Sequence, residues 1–430
     1  MIRHTLAALA LVGSAAAMAR EPAGLHETLS ELARDGRFSG AVVVRGADGV
    51  RFARGYGLAD PFNGRRFTPD TPVDSGSLAK PVTSAAILAL ATEGKLALDR
   101  PARAYLPDFW NRDITVRHLL SHSAGLTFDN SPAGLAGKLN RQLIEEMRSR
   151  PLLFPSGTGF NYCNGCAIAL AEIIERVSGR SHLAFARSRL ELPAGVSLRP
   201  ARLSDWAGRA IGYRREPTGQ PVRFDSWEGE RLFGPANLSI SAAQLAQWGS
   251  RWWRAPLAAL RPAATDPALI AGNRSGLTIG NWYCATGGRR CHYLGHHEGF
   301  HHMLYWDVGR RLSIAMVSNN SLSPAIQQPL QRALVAFAEG RPSSARRELA
   351  SHKLQGEIAA GRYRLPRGEL IVIDGQNNKM AVERAGLRYP AYPVGGGIRY
   401  VPGLDVYLTG QPGGLGWLGL YEDHLAIAAR

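Results

Sequence analysis

The order of β-rich and helical segments along this chain constrains its fold more than any other sequence feature. Apolar and polar residues alternate over 41–45 and 51–56 around Ala47-Asp48-Gly49, which predicts a β-hairpin. Helical spacing follows, and strand patterns return before a last helix. This order predicts an α/β sheet with a helical insertion. Helices are predicted at 24–36, 77–94, 115–122, 140–149, 166–178, 237–254 and 324–339, and the later strands at 279–285, 291–296, 301–306 and 311–318.

The composition supports a packed core. The 430 residues are 45% hydrophobic and 20% charged, which excludes extensive disorder. After the N-terminus, no apolar stretch reaches the roughly 18 residues of a transmembrane helix, so a transmembrane bundle is excluded. The formal net charge is +16. The basic residues are scattered and no nucleic-acid-binding motif accompanies them, so we expect contact with an anionic cell-envelope surface and no nucleic-acid partner.

Residues 1–19 have the features of an export signal. Arg3 lies near the start, an apolar run covers Leu6–Val12, and Ala17-Met18-Ala19 fits a small-x-small cleavage pattern. The apolar run is too short to span a bilayer. We therefore expect an exported protein, periplasmic or secreted, in an oxidising compartment where cysteines pair.

The four cysteines allow three disulfide connectivities. Cys284 and Cys291 flank a turn-like Ala-Thr-Gly-Gly-Arg-Arg segment, so we favour this pair, which leaves Cys163 bonded to Cys166. The C-x-x-C spacing of the second pair also occurs in thioredoxin-like redox sites. No βαβ pattern surrounds it here, so a structural bridge is the favoured interpretation.

The last part of the chain has a different pattern. Residues 350–430 contain short apolar runs separated by Gly and Pro, which predict a small β-barrel or sandwich. An Arg-Pro-Ser-Ser-Ala-Arg-Arg stretch within Gly340–Leu349 marks the boundary. The predicted units are therefore a signal peptide at 1–19, a main domain at 20–340 and a β domain at 350–430.

Lysine is rare in this chain, which makes Ser77-Leu78-Ala79-Lys80 informative. Only five lysines occur, and arginine fills the other basic positions. Residues three apart share one helix face, so Lys80 lies beneath the Ser77 hydroxyl at the start of an apolar helix. A serine nucleophile needs a base, and a lysine can lose its proton where an arginine cannot. The alternative is a helix-capping serine with an exposed lysine.

A second pattern lies at the start of the predicted helix at 166–178. Tyr162 near a lysine can act as a phenolate and carry a proton, and the amide of Asn164 can hold a substrate carbonyl. The alternative interpretation is a surface tyrosine and a helix-capping asparagine.

A third pattern is His297-Glu298-Gly299 at a predicted hairpin. Gly299 would let a substrate backbone approach the strand. The N–H of Phe300 would join that of Ser77 in an oxyanion hole.

These patterns resemble the serine β-lactamase and penicillin-binding superfamily, with its class C β-lactamases, D-aminopeptidases and esterases. The three patterns correspond to the S-x-x-K, Y-x-N and (K/H)-x-G motifs of the family, in the same order. The connecting segments 114–126, 152–179 and 234–248 are also similar. The resemblance covers about residues 25–340, and the C-terminal part resembles a lipocalin-like barrel that some members append.

The resemblance implies an antiparallel sheet flanked by helices, a helical subdomain and an acyl-enzyme on Ser77. Lys80 and Tyr162 would share the proton transfers, Asn164 and His297 would position a small-molecule or peptide substrate, and no cofactor would be needed. True β-lactamases usually have a lysine where this chain has His297. The histidine favours an esterase or a D-amino-acid peptidase over a β-lactamase. The hairpin boundary leaves His296 open as the functional histidine.

Two other functions compete with this one. His297-Glu298-x-x-His301 matches the H-E-x-x-H signature of zinc hydrolases, although that signature requires both histidines on one helix face. The glycines and the β-branched and aromatic run around it predict a strand, so no metal site is expected. The second alternative is a binding homologue that has kept the fold and lost the activity.

Overall fold

The computed structural model describes residues 24–428, except 130–131, 201, 216–219, 226–232, 268–275, 286, 321, 323, 342–357, 366–369, 376–379, 385, 396–397, 402–405, 412–413 and 420–422. The predicted signal peptide and most of the predicted domain boundary lie outside these residues. Within the described part of the chain, no helix is both long and apolar enough to cross a membrane.

Each predicted helical segment contains a helix, although the one at 237–254 begins later than predicted. The described helices are α1 (Leu25–Arg34), α2 (Ala79–Thr92), α3 (Val116–Leu120), α4 (Pro132–Leu135), α5 (Asn140–Arg148), α6 (Asn164–Ser178), α7 (His182–Leu190), α8 (Ala242–Gly249), α9 (Leu257–Ala264) and α10 (Pro324–Ala338). Three of them, α4, α7 and α9, were not predicted.

The described strands before residue 340 form one large sheet and three small ones. They are β1 (Gly40–Gly46), β2 (Gly49–Tyr56), β3 (Leu58–Asp60), β4 (Arg65–Arg66), β5 (Val73–Asp74), β6 (Ser197–Leu198), β7 (Tyr213–Arg215), β8 (Pro221–Arg223), β9 (Leu238–Ile240), β10 (Tyr283–Cys284), β11 (Arg290–His297), β12 (Phe300–Asp307) and β13 (Leu312–Ser318).

The predicted helix at 237–254 is wrong in its first part. Leu238–Ile240 pairs with β5 and β6, and Ser241 then caps α8 by accepting a hydrogen bond of 3.3 Å from the N–H of Gln244. A serine followed three residues later by glutamine is a capping box, which fixes the helix start at this point.

The large sheet is antiparallel and has the order β10-β11-β12-β13-β1-β2. β1 pairs with β13, so that Val42 lies opposite Met316. The chain leaves the sheet after β2, one edge strand, and returns at β10, the opposite edge strand, so the helices α2 to α9 are inserted between these two strands. This arrangement confirms the predicted antiparallel sheet with a helical subdomain.

Helices cover both faces of the sheet, because successive side chains of a strand point to opposite faces. Val42 and Ile314 face α1 and α10 in one buried cluster. Val43 and Val317 face the other way, into the larger cluster that includes α2, α6 and α8. The hydrophobic runs of these strands are thus apolar on both faces, as a sheet between two helical layers requires.

The C-terminal part is one antiparallel sheet with the order β17-β16-β15-β14-β22-β21-β20-β19-β18. The predicted C-terminal strands are confirmed, but no pairing of the described residues joins the two edge strands into a closed barrel. Its strands are β14 (Gly361–Arg364), β15 (Leu370–Asp374), β16 (Ala381–Arg384), β17 (Leu387–Pro390), β18 (Tyr392–Gly395), β19 (Ile398–Val401), β20 (Val406–Gln411), β21 (Gly414–Gly419) and β22 (Asp423–Ala428).

Candidate active site

Ser77 lies in a 3₁₀ turn, Gly76–Leu78, that leads directly into α2. Gly76 has a φ of +48°, and a β-carbon on it would lie 2.6 Å from the carbonyl oxygen of His296. Only glycine allows this close approach between the turn and β11. The turn therefore holds Ser77 at the edge of the large sheet.

Lys80 lies one turn deeper in α2, as the spacing predicts. Its Nζ is 3.0 Å from the Oγ of Ser77 and 3.2 Å from the carbonyl oxygen of Pro235. The residue is only 1% exposed. The amine is thus held against the Ser77 hydroxyl in a buried position.

Tyr162 completes the set from a different part of the chain. Its hydroxyl donates a hydrogen bond of 2.7 Å to the Oγ of Ser77, and the Nζ of Lys80 lies 4.6 Å from the centre of its ring. The structure thus brings together the three side chains predicted to be catalytic. A serine hydroxyl in contact with an amine and a phenol has two groups that can accept its proton.

Asn164 is the first residue of α6, two residues after Tyr162. Its side-chain oxygen is buried and has no hydrogen-bond partner among the described residues. Buried amide oxygens are normally bonded, so a substrate N–H is a suitable partner for this one.

β11 brings Tyr293, rather than His297, to the hydroxyl of Tyr162. The two phenol oxygens are 3.3 Å apart, and Tyr293 is fully buried. Two residues later, Gly295 lies against the turn at residues 75–78 that carries Ser77, here called the nucleophile turn, because a β-carbon on Gly295 would be 2.6 Å from the carbonyl oxygen of Ser75. Sequence reasoning missed both residues. The available signal was the triplet Tyr293-Leu294-Gly295, which places a glycine two residues after its first residue as the (K/H)-x-G motif does, but begins with tyrosine where the motif has lysine or histidine.

His297 lies elsewhere along the hairpin. Its Nδ1 is 3.5 Å from Oδ2 of Asp74, and about 13 Å of strand separates it from Tyr293. Gly299 forms the turn with a φ of +74° and packs against the backbone of Gly212. The structure therefore does not bring His297 to Tyr162 as the resemblance implied, and we reassign that position to Tyr293.

Asp74 ties this end of the hairpin to the nucleophile turn. Its Oδ1 accepts a hydrogen bond of 2.9 Å from the N–H of Gly76, and its Oδ2 is 2.8 Å from Nε of Arg199. Burial alone would raise the pKa of the Asp74 carboxyl, but His297 and Arg199 together hold that pKa below its usual value. The charged carboxylate thus anchors the turn that carries Ser77.

The alternation of hydrogen-bonded and non-bonded residue pairs along the β11–β12 hairpin determines which backbone N–H groups of β11 point away from β12. Pairs in an antiparallel ladder alternate between those that exchange hydrogen bonds and those that do not. The N–H of Val308 donates to the carbonyl of Arg289, and the register continues without a shift to the pair of His297 with Phe300. In this phase, Phe300 bonds to His297, whereas His296 points its N–H away from β12.

Besides the N–H of Ser77 itself, the backbone N–H that faces the nucleophile turn is therefore that of His296 and not that of Phe300. A β-carbon on Gly76 would lie 3.1 Å from the backbone nitrogen of His296, so this part of β11 borders the nucleophile turn directly. The N–H of Phe300 is used within the hairpin, so the structure does not support the oxyanion-hole role expected for Phe300.

The H-E-x-x-H pattern cannot form a zinc site in this fold. His296 pairs with His301, and their rings stack with centroids 4.3 Å apart on one face of the sheet. Neighbouring side chains alternate, so His297 points to the opposite face, towards Asp74. The two histidines of the pattern therefore face apart, and no group of three or more metal-ligating side chains occurs among the described residues.

Both disulfides have the favoured connectivity. Cys284 is bonded to Cys291 across β10 and β11, and Cys163 is bonded to Cys166. The second bridge lies directly after Tyr162, where the Sγ of Cys163 accepts a hydrogen bond of 2.9 Å from the N–H of Cys166. It therefore stabilises the first turn of α6 beside the site.

Relatives of this chain carry several activities in their names. Penicillin-binding protein 4* of Bacillus subtilis (strain 168) is 23% identical over 93% of this chain and 95% of its own length. Esterase EstB of Burkholderia gladioli is 30% identical over 40% of this chain, which spans half of that esterase. A D-aminopeptidase of Brucella anthropi is 30% identical over 36% of this chain and 31% of its own length.

Solved structures share the fold over nearly the whole chain. An octameric penicillin-binding protein homologue from Pyrococcus abyssi has a TM-score of 0.65 and 18% identity, and covers 94% of this chain and 99% of its own. SurE has a TM-score of 0.63 and 21% identity, and covers 94% of this chain and 98% of its own. The family model described as Beta-lactamase matches residues 25–337, and the chain belongs to this family.

Proposed function

We propose that this protein is an exported hydrolase that cleaves an ester, or an amide of a D-amino acid, through an acyl-enzyme on Ser77. The chain is a serine hydrolase of the Beta-lactamase family. One observation carries the proposal: the Oγ of Ser77 contacts both the Nζ of Lys80, at 3.0 Å, and the hydroxyl of Tyr162, at 2.7 Å.

The proposed reaction follows from these contacts. Ser77 Oγ attacks the carbonyl carbon of the substrate while its proton passes to the pair formed by Lys80 and Tyr162. The oxyanion that forms accepts hydrogen bonds from the N–H groups of Ser77 and His296. The pair then gives the proton to the leaving alcohol or amine. A water molecule, deprotonated by the same pair, attacks the ester and releases the acid and Ser77.

The residue at the third motif supports the choice of substrate. In the family that the sequence resembles, a lysine at this position binds the carboxylate of β-lactams and D-Ala-D-Ala peptides. Tyr293 contributes a neutral hydroxyl there, 3.3 Å from that of Tyr162. A neutral donor binds a carboxylate more weakly than an ammonium does. This favours substrates without a carboxylate beside the scissile bond, and it places true β-lactamase activity second.

The named relatives support the same choice. Esterase EstB and the D-aminopeptidase are among the similar proteins, and a further structure of SurE, solved with D-Leu, has a TM-score of 0.56. The two disulfides support an exported location, since such bridges persist in oxidising compartments. The net charge of +16 supports contact with an anionic cell envelope there.

Labelling by a fluorophosphonate tests the nucleophile. We expect the wild type to react covalently and Ser77→Ala to lose all labelling while its circular dichroism spectrum is unchanged. In parallel, both proteins are tested on p-nitrophenyl butyrate, D-alanine p-nitroanilide and a chromogenic cephalosporin. We expect kcat/KM for the ester or the D-amino-acid amide to exceed that for the cephalosporin at least tenfold. Unlabelled wild type would favour a binding homologue, and labelled Ser77→Ala would refute the nucleophile.

A further inference from the structure

A chain of buried hydrogen bonds leads from the active site into the core of the helical subdomain. From Tyr162 it passes to the hydroxyl of Tyr293 at 3.3 Å, and from there to Oδ1 of Asn281 at 3.4 Å. It ends at Nε2 of His122, which is 2.7 Å from the same Oδ1. Tyr293, Asn281 and His122 are each at most 2% exposed. None of these three residues was predicted from the sequence to act in the site.

The donors and acceptors of this chain have one consistent orientation. The Nδ1 of His122 accepts a hydrogen bond of 3.0 Å from the N–H of Cys163, so its proton is on Nε2 and points to Asn281. The Nδ2 of Asn281 donates to the Oγ of Ser84 at 2.8 Å, which leaves Oδ1 as the acceptor. The hydroxyl of Tyr293 then has a suitable acceptor on each side, Asn281 and Tyr162.

His122 is held neutral in this position. Burial, together with the nearby charge of Lys80, lowers the pKa of His122 to about 4. Its ring stacks on that of Tyr162 with centroids 5.0 Å apart. His122 and Asn281 also have positive φ angles, of 56° and 59°. Non-glycine residues adopt this region rarely, and such outliers cluster at functional sites.

We propose that Tyr293, Asn281 and His122 are positioning residues for Tyr162, and that the Tyr293 hydroxyl donates to the Tyr162 phenolate when that oxygen loses its proton. This inference deepens the proposed function and rests on it. Tyr293 has one proton for two acceptors at nearly equal distances, 3.3 and 3.4 Å. While Tyr162 is neutral, Asn281 accepts that proton. When Tyr162 is charged, it becomes the stronger acceptor, and rotation about one C–O bond redirects the proton.

The ionisable groups around Tyr162 determine how strongly the hydrogen bond from Tyr293 to Tyr162 affects the pH dependence of the reaction. The ionisable groups described against Tyr162 are Lys80 from α2, Tyr293 from β11 and His122 from the segment after α3. His122 is neutral at the pH of activity, so the phenolate is stabilised by Lys80 and by the proton of Tyr293. If the Tyr293 hydroxyl is removed, Lys80 alone stabilises the Tyr162 phenolate. Tyr162 then loses its proton at a higher pH.

Tyr293→Phe tests the proposal, because it removes the hydroxyl and keeps the ring. The rate of Ser77 labelling by a fluorophosphonate and kcat/KM for p-nitrophenyl butyrate are measured from pH 5 to 10. We expect the acidic limb of both profiles to move about one pH unit upward, and kcat at pH 7 to fall at least tenfold. KM should change less than threefold. Tyr305→Phe is the matched control, since Tyr305 packs in the cluster on the α1 and α10 face of the sheet and its hydroxyl bonds Glu339 at 3.2 Å.

Asn281→Asp provides an independent second variant of nearly the same size. A carboxylate at this position binds the Tyr293 proton more firmly and repels the Tyr162 phenolate, so the acidic limb should move further upward than in Tyr293→Phe. Unchanged profiles in both variants, or a downward shift in Asn281→Asp, would overturn the proposal. In that case labelling that still depends on Ser77 would leave the proposed function intact, whereas labelling that persists in Ser77→Ala would refute that function itself.

Discussion

At the scale of single residues, two glycines determine how closely the nucleophile turn approaches the sheet. Gly76 and Gly295 lie on the two sides of this contact, and a β-carbon on either would lie 2.6 Å from a carbonyl oxygen of the opposite segment. Real β-carbons do not approach backbone atoms this closely, so a larger residue must separate the two segments. The N–H of His296 can serve Ser77 only while both positions are glycine.

Gly295→Ala should therefore reduce activity more than stability. We expect kcat for p-nitrophenyl butyrate to fall at least tenfold, because a displacement of about 1 Å in a catalytic hydrogen bond costs about that much or more. Gly361→Ala is the control, since a β-carbon there would meet no atom closer than 3.7 Å. Wild-type kcat in Gly295→Ala, with an unchanged thermal midpoint, would contradict the close contact.

At the scale of elements, the start of α6 carries the second half of the catalytic set. Tyr162 ends the preceding loop, and Asn164 begins the helix. Cys163 lies between them and makes three connections: the bridge to Cys166, the cap of the helix and the hydrogen bond to His122. A single residue thus couples the helix start, the buried histidine and the phenol.

The two disulfides should have different effects on activity. Each closes a short loop, so removing either by a double Cys→Ser change should lower the free energy of unfolding by about 2 kcal/mol. Loss of Cys163–Cys166 should also lower kcat severalfold, because it loosens the backbone next to Tyr162. Loss of Cys284–Cys291 should leave kcat within twofold, since β11 remains paired with β12. Denaturant unfolding and ester hydrolysis measure both quantities, and equal losses of kcat would contradict this difference.

At the scale of the whole molecule, several histidines are buried in the neutral form. Burial lowers the pKa of His122, His182 and His302 to about 4, with Lys80 also acting on His122 and neighbouring histidines on His302. In the unfolded chain, the pKa of histidine returns to about 6.5. Between these values the unfolded chain binds more protons than the folded one, so stability rises with pH in this window.

The free energy of unfolding should therefore fall steeply as the pH decreases from 6.5 to 4. Each of the three histidines contributes up to about 3 kcal/mol of this loss, at about 1.4 kcal/mol per pKa unit. Urea unfolding at pH 7.0, 5.5 and 4.5 measures the slope, and His182→Gln should reduce it. A free energy of unfolding that stays constant across these conditions would contradict the buried neutral state.

Much of the molecule could be predicted because the relevant signals are local. Ser77 and Lys80 are one helical turn apart, so their contact follows from helix geometry alone. Cys284 and Cys291 flank a turn, and period-2 and period-3.6 patterns identify most strands and helices. The predicted helix at 237–254 was wrong in part because tertiary pairing of Leu238–Ile240 outweighed its helical pattern.

The amino-acid pattern alone predicted Ser77, Lys80 and Tyr162, which lie in contact, and the sheet with its helical insertion. Only the tertiary structure decided that Tyr293 and His296, and not His297 and Phe300, border Ser77. The physical reason is strand register. The residues of β11 that contact the nucleophile turn depend on the register of this strand against the turn, which lies far away in the sequence. A shift of four residues in that register leaves the same face of the strand towards the turn. The local pattern is the same for both registers, and the packing of two glycines selects one.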